Sequence, residues 1–390
     1  MSISFDPGDD LKDIVDMVHR LAADEIRPNL RHFEHEGALP DELLRKCHEL
    51  GLTNLSLPAE QGGPGLDLRA AAVLQEEIAW GDVGAAMALA GPRAAGAAVA
   101  LLGDAEQKER LLRPFAADDA FARRGALALV EGPFGLSPEA IATTAERSGD
   151  GFVLTGEKRY VLNAASAELT VVLARDASQS EADPWKNLAF FAIEGRPAGL
   201  SAGPRLGTLG LETARYAHVK LEGVKVPARN RLLANGRLSI LGLVAREKTL
   251  DAARLVGCSR AATEYAAKYA TERKAFGKAL YEHQALAFMM ADMATRIDAV
   301  RWLVWRAAWS FDQGSPEAVH EATVAFRHAT ELSVEITTDA VQVLGGHGYI
   351  QDHPVEKWMR DARCLGLVDG LSVDDDALIA ETVVAGGLSS

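Results

Sequence analysis

The chain has 390 residues, 48% hydrophobic and 25% charged, a composition of ordinary soluble globular proteins with room for two or three packed units. Its net charge of −14 and lack of a basic stripe argue against nucleic acid as the main ligand. Cys47, Cys258 and Cys364 lie far apart, form no metal-ligand spacing and suit a reducing compartment, so a cytoplasmic location is expected.

The first residues, MSISFDPGDDLKD, are acidic and lack the apolar core of a secretory signal. Leu11, Ile14, Val15, Val18, Leu21 and Ala22 then repeat at three and four, which predicts a helix. The stretch Leu57-Pro-Ala-Glu-Gln-Gly-Gly-Pro-Gly65 breaks the helical pattern with turn formers. An alanine-rich helix is expected from Gly84 to Leu102. The run AAMALAGPRAAGAAVALL holds Pro92 and Arg93, so it reads as a packed helix and no membrane span is expected.

Near residue 123 the texture changes. FVLTGEKRYVL, LTVVLAR, LAFFAI and YAHVKLEGVKV are short, β-branched or alternating, and separated by turn residues, as in a small all-β unit. Long helices return near Leu238. Leu286, Met289, Met290, Met293, Ile297, Val300 and Val304 trace one helix face, and Ser315-Pro316 is expected to cap the next helix. The expected units are therefore 1–122, all-α; 123–236, β; and 237–390, a helical bundle. Helix–strand–helix blocks without a GxGxxG turn exclude a doubly wound nucleotide fold. The histidines, His32 and His35 included, form no metal-ligand constellation.

Two segments, ATERKAFGKALYEHQ (270–284) and QVLGGHGYIQDHPVEKWMRDAR (342–363), together with LPAEQGGPG and GVKVPARN, resemble the acyl-CoA dehydrogenase family over nearly the whole chain. The resemblance implies an α+β fold: an N-terminal helical domain, a central β-barrel domain and a C-terminal four-helix bundle. It also implies FAD bound across a subunit interface, an acyl-CoA substrate, a homotetramer or a heterotetramer with a paralogue, and an electron-transfer flavoprotein as partner. The implied reaction moves an α-proton to a carboxylate and a β-hydride to the flavin.

By that resemblance Arg273, Phe276, Leu280, Gln284, Gln342, Gly345 and Gly346 match the residues that reach a neighbour's FAD. The positions serving a chain's own flavin are eroded. The family's Thr-Glu-Pro-x-x-Gly-Ser-Asp loop reads Val130-Glu-Gly-Pro-Phe-Gly-Leu-Ser137, and threonines of two other motifs read Leu162 and Leu371. Two residues match the catalytic carboxylates of different branches. Asp369, in GLVDGLSVDDD, stands where many members carry glutamate, and Glu247, in LVAREKTLDAARLVG, stands where other branches carry it. Each has a plainer explanation, a helix-start charge for Asp369 and a charged helix face for Glu247. Three functions stay open: a competent dehydrogenase, a non-catalytic partner subunit completing another chain's flavin site, and a flavin oxidase or monooxygenase.

Overall fold

The structure is a computed structural model and describes residues 9–132, 135–233, 236–368, 371 and 375–385. Helices α1 (Asp9–Leu21), α2 (Leu30–Glu36), α3 (Asp41–Glu49), α4 (Leu68–Gly81), α5 (Val83–Ala88), α6 (Arg93–Leu102) and α7 (Ala105–Leu112) come first. Capping sets several starts. Asp67 accepts the Ala70 N–H of α4, and Asp104 with Gln107 forms a reciprocal capping box on α7.

The alanine-rich stretch is not one helix, as expected, but two. Gly91 takes φ 104°, and a Cβ there would meet the Thr53 carbonyl oxygen at 1.8 Å, while Pro92 removes an N–H, so the chain breaks between α5 and α6. Ala85, Ala86, Ala95, Ala97 and Ala98 are buried against other helices, so close packing accounts for them.

Strands β1 (Gly125–Ala128), β2 (Thr144–Ser148), β3 (Gly151–Leu162), β4 (Leu169–Asp176), β5 (Leu188–Glu194), β6 (Leu200–Ala202), β7 (Tyr216–Pro227) and β8 (Arg231–Leu232) follow. Among the described residues they join one eight-stranded sheet in the order β6-β7-β3-β2-β4-β5-β8, with β1 parallel to β4. In a flat sheet β3 and β5 would lie roughly 14 Å apart. Yet Phe152 of β3 and Phe191 of β5 meet with ring centroids 5.0 Å apart, so the sheet curls around its own core. Inside this unit buried Lys158 donates to Glu131 at 2.7 Å and to the Leu129 carbonyl at 2.9 Å. Burial holds the Lys158 ammonium down to about 8.

Burial alone would push the Glu131 carboxyl up, but Lys158 and the Thr143 N–H outweigh it and hold the group below its ordinary 4.5. A depressed carboxyl stabilises the fold above its unfolded value and loses that contribution as pH falls through the lower folded value. Wild type is thus expected to melt higher than Glu131→Gln at pH 6. The gap should close as pH drops toward 3; a gap independent of pH would contradict the pairing.

Then come α8 (Arg237–Glu272), a small hairpin of β9 (Lys274–Ala275) and β10 (Lys278–Ala279), and α9 (Gln284–Asp312), α10 (Ala318–Leu344), α11 (Val355–Val368) and α12 (Asp375–Val384). Met293, Ile297, Val300 and Val304 of α9 are buried as their spacing predicts. Helix α10 starts at Ala318, later than the Ser315 cap expected, and Ser315 instead accepts the Glu317 N–H at 3.2 Å within the preceding turn. The α8–α11 helices share a core with α1, α4 and α6. Where they meet, Lys357 of α11 is enclosed, 2.5 Å from both Asp82 and Asp361. Asp82 caps α5 through the Ala85 N–H, and Asp361 accepts the Leu211 N–H at 2.6 Å, so one ammonium joins both helical regions and the β unit. No helix among the described residues is long and apolar enough to cross a membrane.

Candidate functional site

A cleft of about 630 Å³, its open mouth included, lies between the α5–α6 break, the sheet and α8. Its sheet side carries Leu127, Leu129, Val130 and Leu162 with Arg159 and Tyr160 among them, joined by Leu371. Its helix side is charged, with Arg93, Glu247, Asp251 and Arg254. A smaller cavity of about 390 Å³, its open mouth included, adjoins it and shares Arg93, Glu247 and Arg254 as its wall.

Helix periodicity brings three of these residues together, since 247, 251 and 254 stand on one face of α8. Glu247 is largely buried, its side chain 13% exposed, and its Oε1 accepts from Arg246 at 2.5 Å. It does not lie on a solvated face. Asp251, one turn on, is enclosed; burial pushes its carboxyl above the usual range, and its ion pair with Arg254 opposes the shift. Arg254 also donates to Gln75 Oε1 at 2.7 Å. Arg93 comes from the other wall, and burial, aided by repulsion from Arg254, lowers its guanidinium to about 10. Asp369 lies outside the described residues, though Leu371 nearby lines the cleft. Asp375 of α12 forms a buried 2.5 Å pair with Lys248, the residue after Glu247.

Sequence reasoning missed Arg93, Asp251, Arg254 and Gln75 as site residues. The i, i+4, i+7 series from Glu247 was a usable signal for two of them. Arg93 was hidden by reading one helix through Gly91-Pro92.

The other residues singled out in the sequence lie elsewhere. Arg273 caps the C-terminal end of α8, about 39 Å along the helix from Glu247 at 1.5 Å per residue. Phe276 and Gly277 form the two-residue tip of the β9–β10 hairpin, with φ 52° and 85°, and Phe276 is 96% exposed. Leu280 is half-buried behind the hairpin, and Gln284 is exposed at the start of α9. Gln342, Gly345 and Gly346 are exposed at the end of α10, where a Cβ on either glycine would meet open space. The two groups approach each other: the Tyr269 hydroxyl of α8 is 2.5 Å from His347 Nδ1, beside the glycines. None of the seven lines the cleft. Among the described residues no group of His, Cys, Asp or Glu side chains is arranged to hold a metal ion.

Comparison with known proteins places the chain among the flavoprotein oxidoreductases. The acyl-CoA dehydrogenase N-terminal domain matches residues 8–119, the middle domain 126–224 and the C-terminal domain 234–382. The benzylmalonyl-CoA dehydrogenase of Aromatoleum aromaticum is 33% identical, with 98% of this chain and 100% of that one aligned. The caffeyl-CoA reductase-Etf complex subunit CarC of Acetobacterium woodii is 33% identical over 91% of this chain and 94% of its own. Among solved structures, butyryl-CoA dehydrogenase from Megasphaera elsdenii superimposes with a TM-score of 0.88 at 27% identity, covering 98% of this chain and 100% of that one. The chain belongs to the acyl-CoA dehydrogenase family, and its cofactor is FAD.

Tyr160, which lines the cleft beside Arg159, holds a left-handed backbone, φ 56°, where the β3–β7 register shifts between Lys158 and Val161. Val130, Leu162 and Leu371, which line the cleft, carry no side-chain hydrogen-bond donor. Restoring a donor with Val130→Thr is expected to tighten FAD retention about fivefold, from one hydrogen bond of ~1 kcal/mol. Flavin content after exhaustive dialysis checks this; unchanged retention would exclude residue 130 from the flavin's surroundings.

Proposed function

We propose that this FAD-dependent acyl-CoA dehydrogenase uses Glu247 to withdraw the α-proton of its thioester substrate. The observation that carries the reading is Glu247's place on the wall shared by the cleft and the adjoining cavity, largely buried and oriented by Arg246. A base in a low-dielectric pocket, fixed by one partner, meets the requirement of reach and orientation. FAD, when bound, supplies the acceptor for the β-hydrogen as hydride. Asp251, enclosed and paired with Arg254, shapes the field around Glu247 rather than reaching substrate. Asp369 is the second candidate base, favoured only by the family resemblance.

Arg273, Phe276, Leu280, Gln284, Gln342, Gly345 and Gly346 serve a neighbouring subunit's FAD in this reading. Their distance from the chain's own cleft and the outward aromatic at the hairpin tip support it, and with it a homotetramer or a heterotetramer with a paralogue. An electron-transfer flavoprotein is the proposed electron acceptor, in line with the Etf complex named for one relative. The three free, buried cysteines support a cytoplasmic setting. Division at 122/123 and 236/237 is supported by the strands lying between Gly125 and Leu232.

Purified alone, the protein should be yellow and should bleach anaerobically on adding an acyl-CoA. A colourless protein that gains flavin only when co-expressed with a paralogue would instead mark a partner subunit. The cofactor positions Val130, Leu162 and Leu371 are the observation favouring that second reading. Rapid reoxidation by dioxygen with peroxide release would mark an oxidase.

A further inference from the structure

We propose that the acyl cavity holds a carboxylate-binding station centred on Arg93, so that the preferred acyl group ends in a carboxylate. The inference rests on the acyl-thioester reading of the same cleft and names its substrate class. Arg93 lines both the cleft and the cavity adjoining it. The α5–α6 break puts it there, and its backbone pays for the position with φ 46°, a conformation costly for a residue with a side chain.

The guanidinium is held by neutral acceptors only. Nη1 donates to the Ala86 carbonyl at 3.1 Å and the Leu89 carbonyl at 3.5 Å, and Nη2 faces Met87 Sδ at 3.6 Å. These bonds orient the fork without neutralising it. The neighbouring carboxylates are already engaged, Glu247 by Arg246 and Asp251 by Arg254. Arg93, Arg159, Arg246 and Arg254 line the cleft and the cavity against Glu247 and Asp251, so among the described residues positive charge is in excess there and Arg93 has no carboxylate of its own. A buried charge without a counter-ion is costly, and a bound anion removes that cost.

A second observation points into the same cavity. Ser56 lines it, and its Oγ is buried without a hydrogen-bond partner. An arginine fork and a hydroxyl donor together suit a carboxylate, whose two oxygens accept several hydrogen bonds. A neutral hydroxyl would leave the positive charge unmatched, and a carboxylate is the anion in which an acyl chain itself can end.

The test is a titration of the purified holoenzyme, followed by calorimetry, with two CoA thioesters of equal chain length, one ending in methyl and one in carboxylate. Wild type is expected to prefer the carboxylate-ended ligand by on the order of 30-fold or more, as a desolvated charge pair provides. In Arg93→Met this ratio should fall to about threefold or less, and in Arg93→Lys it should stay in between. Ser56→Ala should narrow the ratio without altering the fold. Wild type showing no preference, or a preference that survives Arg93→Met, would overturn the proposal. Thermal unfolding controls for folding, and if Arg93→Met unfolds, the Arg93→Lys and Ser56→Ala ratios decide. Binding is read without turnover, so failure to bleach with either ligand would count against dehydrogenation and not against this station.

Discussion

Glu247→Gln is expected to slow anaerobic flavin reduction by an acyl-CoA about 10²–10⁴-fold, the range a positioned general base contributes. Glutamine keeps the length and most of the shape of glutamate, so the change removes proton affinity and little packing. The measurement is single-turnover bleaching followed in a stopped-flow instrument, with Asp369→Asn run beside it. Slow bleaching in Glu247→Gln with near-normal bleaching in Asp369→Asn is the expected pattern. The reverse pattern would transfer the base to Asp369, and normal rates in both would sink proton abstraction by either. Arg246→Met offers a subtler readout. It frees Glu247 from its 2.5 Å partner, so reduction should slow through lost orientation, by less than in Glu247→Gln, while the reaction itself persists.

Lys357→Met should destabilise the protein by ~3–5 kcal/mol, because it leaves two buried carboxylates facing each other without their cation. In wild type burial already pushes the Asp82 carboxyl above its usual range, although Lys357 works against it; the ammonium itself is raised by Asp361 and Asp82 despite the opposing effect of burial. Removing the ammonium raises the carboxyl further. A carboxyl whose folded value exceeds its unfolded one costs stability above the unfolded value, and the cost vanishes at pH low enough to protonate both states. The deficit of Lys357→Met is therefore expected to be large at pH 7.5 and smaller at pH 5. Chemical unfolding of both proteins at the two pH values measures it. A deficit equal at both pH values would show that lost packing, and not unpaired charge, is responsible.

Much of the architecture was legible because its signals are local. The alternating strands around LTVVLAR and LAFFAI and the apolar stripe from Met293 to Val304 state their period within a few residues. The α5–α6 break was less legible, since alanine-rich runs favour helix and the reason for the break lies across space, in the Thr53 carbonyl that Gly91 must approach. The site was half legible for a similar reason. Glu247 shares its face with Asp251 and Arg254, a spacing visible in the sequence, but whether that face meets water or a cavity depends on α4 and the sheet. Arg93 joins them only through tertiary packing. The hub of Asp82, Lys357 and Asp361 was invisible for the same reason: Lys357 and Asp361 look like an ordinary surface pair, and their burial comes from a residue 275 positions away.

The Lys248–Asp375 pair gives the chain's last helix a stake in events deep inside. Lys248 is buried and follows Glu247 in the chain, so cutting ahead of α12 would strand its ammonium without a partner. The tail is thus anchored beside the cleft by charge, and loosening it would expose that wall.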